Sequence, residues 1–377
     1  MQKLIRITTI PDSIQSLLRG QLRFMEQYYE VVAVSSRGER FEKMLREQGV
    51  RGIPVPMTRK ITPFADLKAL FLLICLFLKE KPDIVHTHTP KAGILGMLAA
   101  WITRVPVRLH TVAGLPLLVA TGNKRKLLNF VEWLTYACAT KVYPNSFVMQ
   151  QIIIANHLAK PQKLKVIANG SSNGIDMSFF SPEAPFEKLE HECGVFTFCF
   201  VGRMVRDKGI NELIHVFTGL YETNRNIRLL LVGGFEKDLD PVLPEVEEQI
   251  LHHPGITFVG WQPDVRPFLA ASDAFVFPSY REGFPNVVMQ AGAMGLASIV
   301  TDINGCNEII VNGKNGVIIP SKDEEALYQA MKDFVVHPEK VKQMAANARP
   351  MIASRYEQKM VWEALLGEYR RICKERS

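Results

Sequence analysis

Short apolar segments of strand length alternate with segments of helix length along almost the whole chain. This alternation is typical of βαβ units, in which crossover helices join parallel strands. In the first half, strands are predicted at residues 4–8, 31–35, 84–87, 107–111, 141–143 and 165–167. In the second half, they are predicted at residues 196–201, 228–232, 256–259, 274–277, 298–300 and 317–319. The chain is therefore predicted to be an α/β protein with parallel sheets.

The pattern restarts after a stretch rich in turn residues at 168–176, which is the best candidate for a linker. A length of 377 residues also favours two domains. We predict two doubly wound, Rossmann-like domains, at 1–170 and 171–377, that face each other across a cleft at the carboxyl ends of both sheets. The last helix, over about 356–377, is able to pack back on the N-terminal domain.

The net charge of +7 hides a strong asymmetry between the two halves. Residues 1–170 contain 24 Lys and Arg against 10 Asp and Glu, whereas residues 171–377 contain 21 against 28. A basic first half suggests an anionic partner: a phosphorylated acceptor, an anionic membrane surface or nucleic acid. Nucleic acid is disfavoured because the positive charge is not interleaved with aromatic side chains that stack on bases. A solvated basic face without a partner is the alternative.

The longest apolar run, at 69–78, lies on a predicted helix over 64–79. A run of this length is too short to span a bilayer, which requires about 20 residues. Basic residues flank this helix, and a second basic cluster, Lys124-Arg125-Lys126, opens the helix that leads to Trp133. Two interpretations stay open. The helix over 64–79 is buried between the sheet and neighbouring helices, or it is interfacial and contacts the anionic inner face of a membrane.

Two features bear on the cell compartment. The six cysteines are scattered without a C-x-x-C pair, which favours free thiols in a reducing cytoplasm over disulfides or a zinc site. The N-terminus enters a strand at Leu4 without the apolar core and cleavage site of a signal peptide. We therefore expect a cytoplasmic protein. The interfacial interpretation adds peripheral contact at the inner face of the cell membrane.

A candidate anion site follows the predicted strand 196–201. The chain continues there with Gly202-Arg203 and reaches Lys208-Gly209 before the next helix. The glycines allow the backbone to approach a ligand closely, and the two basic residues bring cations close to a helix N-terminus. Oriented N–H groups together with charge-assisted hydrogen bonds suit a diphosphate. A basic turn of this kind is common, so this loop alone is weak evidence.

A second segment, Glu282-Gly283-Phe284-Pro285-Asn286, directly follows a strand that is predicted to be buried. Gly283 suits a tight turn, and Pro285 suits the first turn of the following helix. The carboxylate of Glu282 has two alternative roles: it caps that helix, or it accepts hydrogen bonds from sugar hydroxyls. Because Gly283 and Pro285 already organise the turn, we favour a Glu282 that contacts a ligand.

Together these motifs resemble those of family-4 retaining glycosyltransferases, which have the GT-B fold and include bacterial capsular and surface polysaccharide transferases. The resemblance covers nearly the whole chain and is strongest over residues 200–320. The segments that carry it are Asn173-Gly174-Ile175-Asp176, Gly202-Arg203, Lys208-Gly209, Glu282-Gly283-Phe284-Pro285-Asn286, Thr301-Asp302, Gly305, Glu308, Asn312-Gly313 and Asn315-Gly316.

The resemblance implies a nucleotide-sugar donor, taken as a UDP-sugar on family grounds, and no cofactor. It implies that Arg203 and Lys208 neutralise the donor pyrophosphate and that Glu282 holds hydroxyls of the donor sugar. Eight positions after Glu282, where the family usually has a Glu for the ribose, this chain has Gln290, which weakens ribose binding by roughly 1–3 kcal/mol. The predicted donor-binding residues are Gly202, Arg203, Lys208, Glu282, Gly283, Phe284, Pro285, Asn286 and Gln290.

His110 joins Arg203, Lys208 and Glu282 as a predicted catalytic residue. It lies near the end of the strand 107–111, so its side chain is expected to face the cleft, and the resemblance implies a contact with the donor sugar.

Three residues of the first half are assigned to the acceptor side: Ser13, His88 and Lys91. Ser13 or Asp12 is also predicted to cap the first helix, over 14–28. His86 and His88 point to one side of their strand, but a metal site is disfavoured because no third ligand is near in the sequence. Asp238-Leu239-Asp240 has the D-x-D spacing of metal-dependent transferases and is interpreted as solvated surface.

The resemblance implies a retaining transfer without a metal ion, in which the acceptor hydroxyl attacks from the leaving-group face and the cations stabilise the departing diphosphate. The expected acceptor is a glycan or a polyprenyl-diphosphate-linked sugar. The alternative, motivated by Gln290, is a nucleotide-sugar-binding protein without transfer activity. A nicotinamide-dependent oxidoreductase is disfavoured because no G-x-G-x-x-G motif follows the first strand.

Overall fold

The strands form two six-stranded sheets, in which every pair of neighbouring strands in the described part of the chain is parallel. The computed structural model describes residues 1–115, 117, 120–190, 192–236, 238 and 240–375. The chain divides into two units: residues 1–174 together with the C-terminal helix, and residues 175–357.

The first sheet has the strand order β3-β2-β1-β4-β5-β6. Its strands are β1 (Lys3–Ile7), β2 (Glu30–Ser35), β3 (Arg51–Pro54), β4 (Ile84–His88), β5 (Val107–Val112) and β6 (Lys141–Pro144). Every residue of the central strand β4 is buried, as expected for a parallel sheet that is covered on both faces. The order places β1 beside β4, where the direction of the crossovers reverses.

Helices cover both faces of this sheet. They are α1 (Pro11–Leu18), α2 (Gln21–Glu26), α3 (Glu39–Gln48), α4 (Pro63–Glu80), α5 (Pro90–Ile102), α6 (Gly122–Cys138) and α7 (Phe147–Ala155). The apolar side chains of α4, α5, α6 and α7 form one core with the sheet, and those of α1, α2 and α3 form another. None of the described helices is both long and apolar enough to cross a lipid bilayer.

The second sheet repeats this topology, with the strand order β12-β11-β10-β7-β8-β9. Its strands are β7 (Phe196–Val201), β8 (Ile227–Val232), β9 (Ile256–Phe258), β10 (Ala274–Phe277), β11 (Ala297–Thr301) and β12 (Gly316–Ile319). Its helices are α8 (Ile210–Thr223), α9 (Pro244–His252), α10 (Arg266–Ala270), α11 (Asn286–Ala293), α12 (Cys306–Ile309), α13 (Glu324–Val336) and α14 (Pro338–Tyr356).

The C-terminal helix, α15 (Gln358–Lys374), belongs to the first unit. Its buried residues Leu365, Leu366, Tyr369 and Ile372 share a core with Leu4 of β1. Trp362 donates a hydrogen bond from its indole nitrogen to Asn173 Oδ1 at 2.7 Å, so this helix is also tied to the end of the first unit. The unit that carries the first sheet is therefore built from both ends of the chain.

The N-terminal helical region differs from its prediction. Instead of one helix over 14–28, two helices form, because the chain breaks at Gly20, which has a φ of 77°. A Cβ on Gly20 would lie 2.6 Å from the ring of Trp362, so the break also makes room for α15. The first helix begins at Pro11 and its N-cap is Ile10. The prediction that Ser13 or Asp12 caps it is therefore wrong, because both residues lie within its first turn.

Several elements differ from the predicted pattern. Residues 165–167 do not form a strand; the preceding Leu164 forms an isolated parallel bridge with Val142, and the backbone N–H of Lys165 donates to the Val142 carbonyl at 3.1 Å. The edge strand β3 was not predicted, since Arg-Gly-Ile-Pro has no apolar run. The long helix α14 was not predicted either, and it contains Pro350 in its interior.

Candidate active site

In the second sheet, the direction of the crossovers reverses between the neighbouring strands β7 and β10. In sheets of this kind, a ligand-binding crevice lies at the carboxyl ends of the two strands at such a point. Two glycines let the loops meet there. A Cβ on Gly209, which has a φ of 70°, would lie 2.1 Å from the carbonyl oxygen of Pro278. A Cβ on Gly233, with a φ of 142°, would lie 1.7 Å from the carbonyl oxygen of Gly202. Any larger residue would force these loops apart.

The loops bring Lys208 and Glu282 together, although they are 74 residues apart in the chain. The ammonium group of Lys208 is paired with Glu282 Oε1, and the hydroxyl of Ser279 donates to the same oxygen at 3.0 Å. The two charged side chains are only 14% and 15% exposed. The ammonium also lies 5.4 Å from the ring centroid of Phe277. A partly desolvated cation and a carboxylate therefore stand side by side at the crevice.

The loop that carries Glu282 is fixed by its neighbours. The backbone N–H of Tyr280 donates to the Asp207 carbonyl at 2.9 Å, and the guanidinium of Arg281 pairs with the Asp207 carboxylate at 2.7 Å. From the other side, the amide of Asn304 donates to the carbonyl of Glu282 at 3.0 Å and to that of Gly283. The sequence analysis missed Asp207, Ser279 and Asn304; the turn-like pair Asn304-Gly305 was the available signal.

Helix α11 begins at Asn286, directly after its N-cap Pro285, so its first turn follows the Glu282 loop. Because the Glu282 carboxylate is engaged by Lys208 and Ser279, the alternative in which it caps this helix is not realised. Phe284 is buried and packs edge-on against Tyr356, with the ring centroids 5.4 Å apart. Only the backbone of Phe284 is therefore open to a ligand. Gln290 lies one turn further along α11 and is half-buried.

Arg203 is placed differently from Lys208. Its guanidinium pairs with Glu236, on the loop after β8, at 2.6 Å. The two side chains are 48% and 37% exposed, so this pair is weaker than a buried one. The structure therefore pairs Lys208 directly with Glu282. Arg203, which lies just after the carboxyl end of β7, pairs instead with Glu236, a residue that the sequence analysis had not identified.

The D-x-D segment has a structural role in part. Asp240 Oδ2 accepts a hydrogen bond from the backbone N–H of Asp207 at 2.7 Å, and the Asp240 carbonyl accepts one from Arg206 at 3.1 Å. The interpretation of Asp240 as solvated surface is therefore wrong, since it holds the turn that presents Lys208. Leu239 lies outside the described residues. In the described part of the chain, no three His, Cys, Asp or Glu side chains are grouped to hold a metal ion.

His110 does not face an open edge. Strand β5 continues to Val112, so His110 lies inside the sheet, with Nδ1 2.8 Å from the hydroxyl of Thr87. Its ring lies under α5, where a Cβ on Gly93 would be 2.5 Å from it, and 5.8 Å from the ring of Tyr136. Burial lowers the pKa of His110 to about 3. The expectation that the His110 side chain faces an open cleft is therefore wrong, because the alternation of the strand turns its ring into the core.

His86 and His88 form a buried polar network instead of a ligand pair. Both ring nitrogens of His86 are engaged, by the Tyr369 hydroxyl and by Thr111 Oγ1 at 2.7 Å. The guanidinium of the buried Arg6 donates to His88 Nε2, with Nη2 at 3.0 Å. Since arginine can only donate, the neutral His88 ring carries its proton on Nδ1. Burial, with the Arg6 charge, lowers the pKa of both histidines.

The remaining acceptor-side candidates are structural in this unit. Ser13 is buried in the first turn of α1. The ammonium of Lys91 contacts both carboxylate oxygens of Asp66, at 2.7 and 2.9 Å, and the carbonyl of Lys60. Lys91 thus ties the start of α5 to the first turn of α4 and to the segment before it. Both residues belong to the first unit, whereas the Lys208–Glu282 pair belongs to the second.

Comparison with known proteins decides the family. The family described as "Glycosyl transferase 4-like domain" matches residues 15–170, and "Glycosyl transferases group 1" matches residues 195–337. The capsular polysaccharide biosynthesis glycosyltransferase CapM of Staphylococcus aureus is 34% identical, over 99% of this chain and 98% of its own. The chain belongs to the group 1 glycosyltransferases.

Two further proteins are similar to this glycosyltransferase. The Escherichia coli UDP-Gal:alpha-D-GlcNAc-diphosphoundecaprenol alpha-1,3-galactosyltransferase is 31% identical over 76% of this chain and 75% of its own. The structure of Anabaena HepE in complex with UDP has a TM-score of 0.80 and 16% identity, and the alignment covers 98% of this chain and 100% of that one. At that identity the likeness shows the fold alone, and it confirms the GT-B fold that the motifs predicted.

Proposed function

We propose that this glycosyltransferase is a retaining, metal-independent enzyme. It moves a hexosyl or N-acetylhexosaminyl group from a UDP-sugar to a glycan or polyprenyl-diphosphate-linked acceptor in surface polysaccharide synthesis. The observation that carries the proposal is the Lys208–Glu282 pair at the strand ends where the second sheet reverses. The E. coli relative, whose name gives a UDP-sugar donor and a diphosphoundecaprenol acceptor, supports the choice of substrates.

Donor binding in this proposal is an exchange of partners. The carboxylates that hold Lys208 and Arg203 in the free protein give way to the diphosphate, which the cations bind together with the N–H groups at the start of α11. Glu282, released from the ammonium, accepts hydrogen bonds from hydroxyls of the donor sugar. Gln290, on the next turn of α11, contacts the ribose. Gly202, Gly283, Phe284, Pro285 and Asn286 supply backbone to the same donor site.

The chemical step breaks the bond between the anomeric carbon and the diphosphate oxygen, and the electron pair leaves with UDP. Lys208 and Arg203 stabilise the negative charge that develops on this leaving group, which is the task of a metal ion in other transferases. The acceptor hydroxyl attacks the same face, and its proton passes to the departing phosphate, so the anomeric configuration is kept. His110 has no part in this step because its ring is buried in the first unit.

The test is a transfer assay with a panel of UDP-sugars and a short-chain polyprenyl-diphosphate glycan, with and without EDTA. We expect one donor to be used, undiminished transfer in EDTA, and a product whose anomeric proton coupling in NMR matches that of the donor. Lys208→Met should lower turnover at least a hundredfold. An inverted product, loss of activity in EDTA, or unchanged turnover by Lys208→Met contradicts the proposal. Tight donor binding in calorimetry without hydrolysis or transfer establishes the binding-protein alternative.

We also propose that the enzyme works in peripheral contact with the anionic inner face of the cell membrane, in the cytoplasm, because a polyprenyl-linked acceptor is anchored there. The charge difference between the two halves of the chain supports this contact. The proposed reaction uses no cofactor, since the nucleotide sugar is a substrate, and nucleic acid is not among the proposed partners.

A further inference from the structure

The outer faces of α4 and α6 carry an unusual number of exposed apolar side chains. On α4 these are Phe64, Leu67, Phe71 and Leu78, of which Phe64 is 91% and Phe71 is 64% exposed. Their spacing of three, four and seven residues places them along one stripe of the helix. The buried residues of α4, such as Leu73 and Phe77, lie on the opposite side, against the sheet. The core therefore leaves this stripe without a partner among the described residues.

Helix α6 repeats the arrangement. Leu127, Phe130 and Trp133 are exposed, and the rings of Phe130 and Trp133 stack at an interplanar angle of 28° with their centroids 6.0 Å apart. The inner side of α6 buries Glu132 and Tyr136. Helix α5 packs against both α4 and α6 and lies between them, so the three helices form one layer on the same face of the first sheet.

The charges around this layer have one sign. Exposed basic residues occur towards both ends of α4 and at the start of α6: Arg59, Lys60, Lys68, Lys79, Lys81, Lys124, Arg125 and Lys126. Each carboxylate of α4 and α6 is either paired or buried: Asp66 is paired with Lys91, Glu80 is paired with Lys3 and Arg51, and Glu132 is buried. Aromatic and aliphatic side chains with a basic surround match the interface of an anionic bilayer, where the apolar groups enter the acyl boundary and the cations meet the headgroups.

We infer that the outer faces of α4 and α6, here called the α4–α6 face, dock on an anionic phospholipid surface. The inference rests on the proposed membrane-linked acceptor and names the surface that reaches it. Sign and chemistry favour a membrane over a second copy of the chain, because two such faces brought together would oppose clusters of like charge. The N-terminal ends of α4 and α6 lie at the carboxyl edge of the first sheet, since each helix follows a strand of that sheet. Docking therefore holds that edge close to the headgroups.

Co-sedimentation with phosphatidylcholine vesicles, with and without phosphatidylglycerol, tests the inference on the full chain. We expect binding only to the anionic vesicles, weakened as NaCl is raised from 0.1 to 0.5 M. Replacing Lys124, Arg125 and Lys126 together by Gln should weaken it about a hundredfold at low salt. The double variant F64S/F71S should weaken it at least tenfold. Leu251→Ser, which removes an exposed apolar side chain of the second unit, is the matched control and should bind like the parent.

The variant side chains are exposed, so circular dichroism should show unchanged folding. Transfer to a water-soluble short-chain acceptor should also be unchanged, which separates this inference from the proposed function. If vesicles bind but no transfer is detected, the inference about the α4–α6 face is supported and the proposed reaction is contradicted. The inference is overturned if F64S/F71S binds like the parent, if neutral vesicles bind equally, or if ultracentrifugation shows that this face joins two copies and vesicles do not bind.

Discussion

The Lys208–Glu282 pair makes one prediction that separates donor binding from turnover. In the free protein, the diphosphate has to compete with the Glu282 carboxylate for the Lys208 ammonium, in surroundings where both side chains are about 85% covered. Glu282→Gln keeps the shape of the side chain and its contact with Ser279 but removes the competing charge. UDP should therefore bind more tightly to this variant, while the transfer reaction loses its charged acceptor for the sugar hydroxyls.

The size of both effects follows from the contact. A charge-assisted hydrogen bond contributes about 1–2 kcal/mol more than a neutral one, so UDP affinity should rise about 5- to 30-fold. The same difference, lost in the transition state, should lower kcat/KM about 5- to 30-fold. Calorimetry with UDP and initial rates with the UDP-sugar measure the two quantities. Asp333→Asn, which breaks the exposed pair with Lys340, is the control and should change neither. Weaker UDP binding with unchanged turnover would refute the reasoning.

Three further predictions concern other parts of the molecule. Gln290→Glu should strengthen UDP binding about tenfold but not that of 2′-deoxy-UDP, as calorimetry can show; equal gains for both would contradict a ribose contact. Gly209→Ala should lower the free energy of unfolding by about 2–4 kcal/mol, whereas Gly219→Ala, where a Cβ meets open space on α8, should not lower it; urea titration compares them. Burial lowers the pKa of His86, His88 and His110, so these residues stay neutral in the folded protein where the unfolded chain takes up protons. The free energy of unfolding should therefore fall as the pH drops below about 6.5, by up to ~1.4 kcal/mol per pH unit for each histidine. A urea midpoint that stays constant down to pH 4 would contradict this.

The strands were predictable where burial on both faces made them continuously apolar. β7 and β10 have the bounds that the sequence predicted, because each is a run of Phe, Val and other apolar residues that ends at a glycine or a proline. β3 was missed because an edge strand needs no such run: Arg51 and Pro54 are exposed and only the backbone pairs with β2. α14 was missed because Pro350 normally ends a helix, and here it does not.

The sequence predicted which residues belong to the site, but it did not predict which of them contact each other. The chemistry of a diphosphate selected Lys208 and Glu282, but nothing local to either residue shows that they touch. Their contact follows from the strand order, which places β7 beside β10, and from Gly209, which lets the two loops close. His110 failed for a related reason. A prediction that β5 ends at Thr111 puts His110 at the sheet edge, whereas the strand ends at Val112 and its period of two turns the ring toward α5.

The two units have the same strand order, yet they use the reversal point differently. In the first unit, the residues after β1 and β4 meet through hydroxyls, with Thr9 Oγ1 2.8 Å from Thr89 Oγ1. In the second unit, a cation and a carboxylate meet there. The charged arrangement suits a diphosphate leaving group, which supports the proposal that the donor binds in the second unit. The excess positive charge of the first half then needs another explanation. Arg6 is buried and Lys91 is paired with Asp66, whereas exposed basic residues of α4 and α6 surround the α4–α6 face, which we propose to dock on an anionic bilayer.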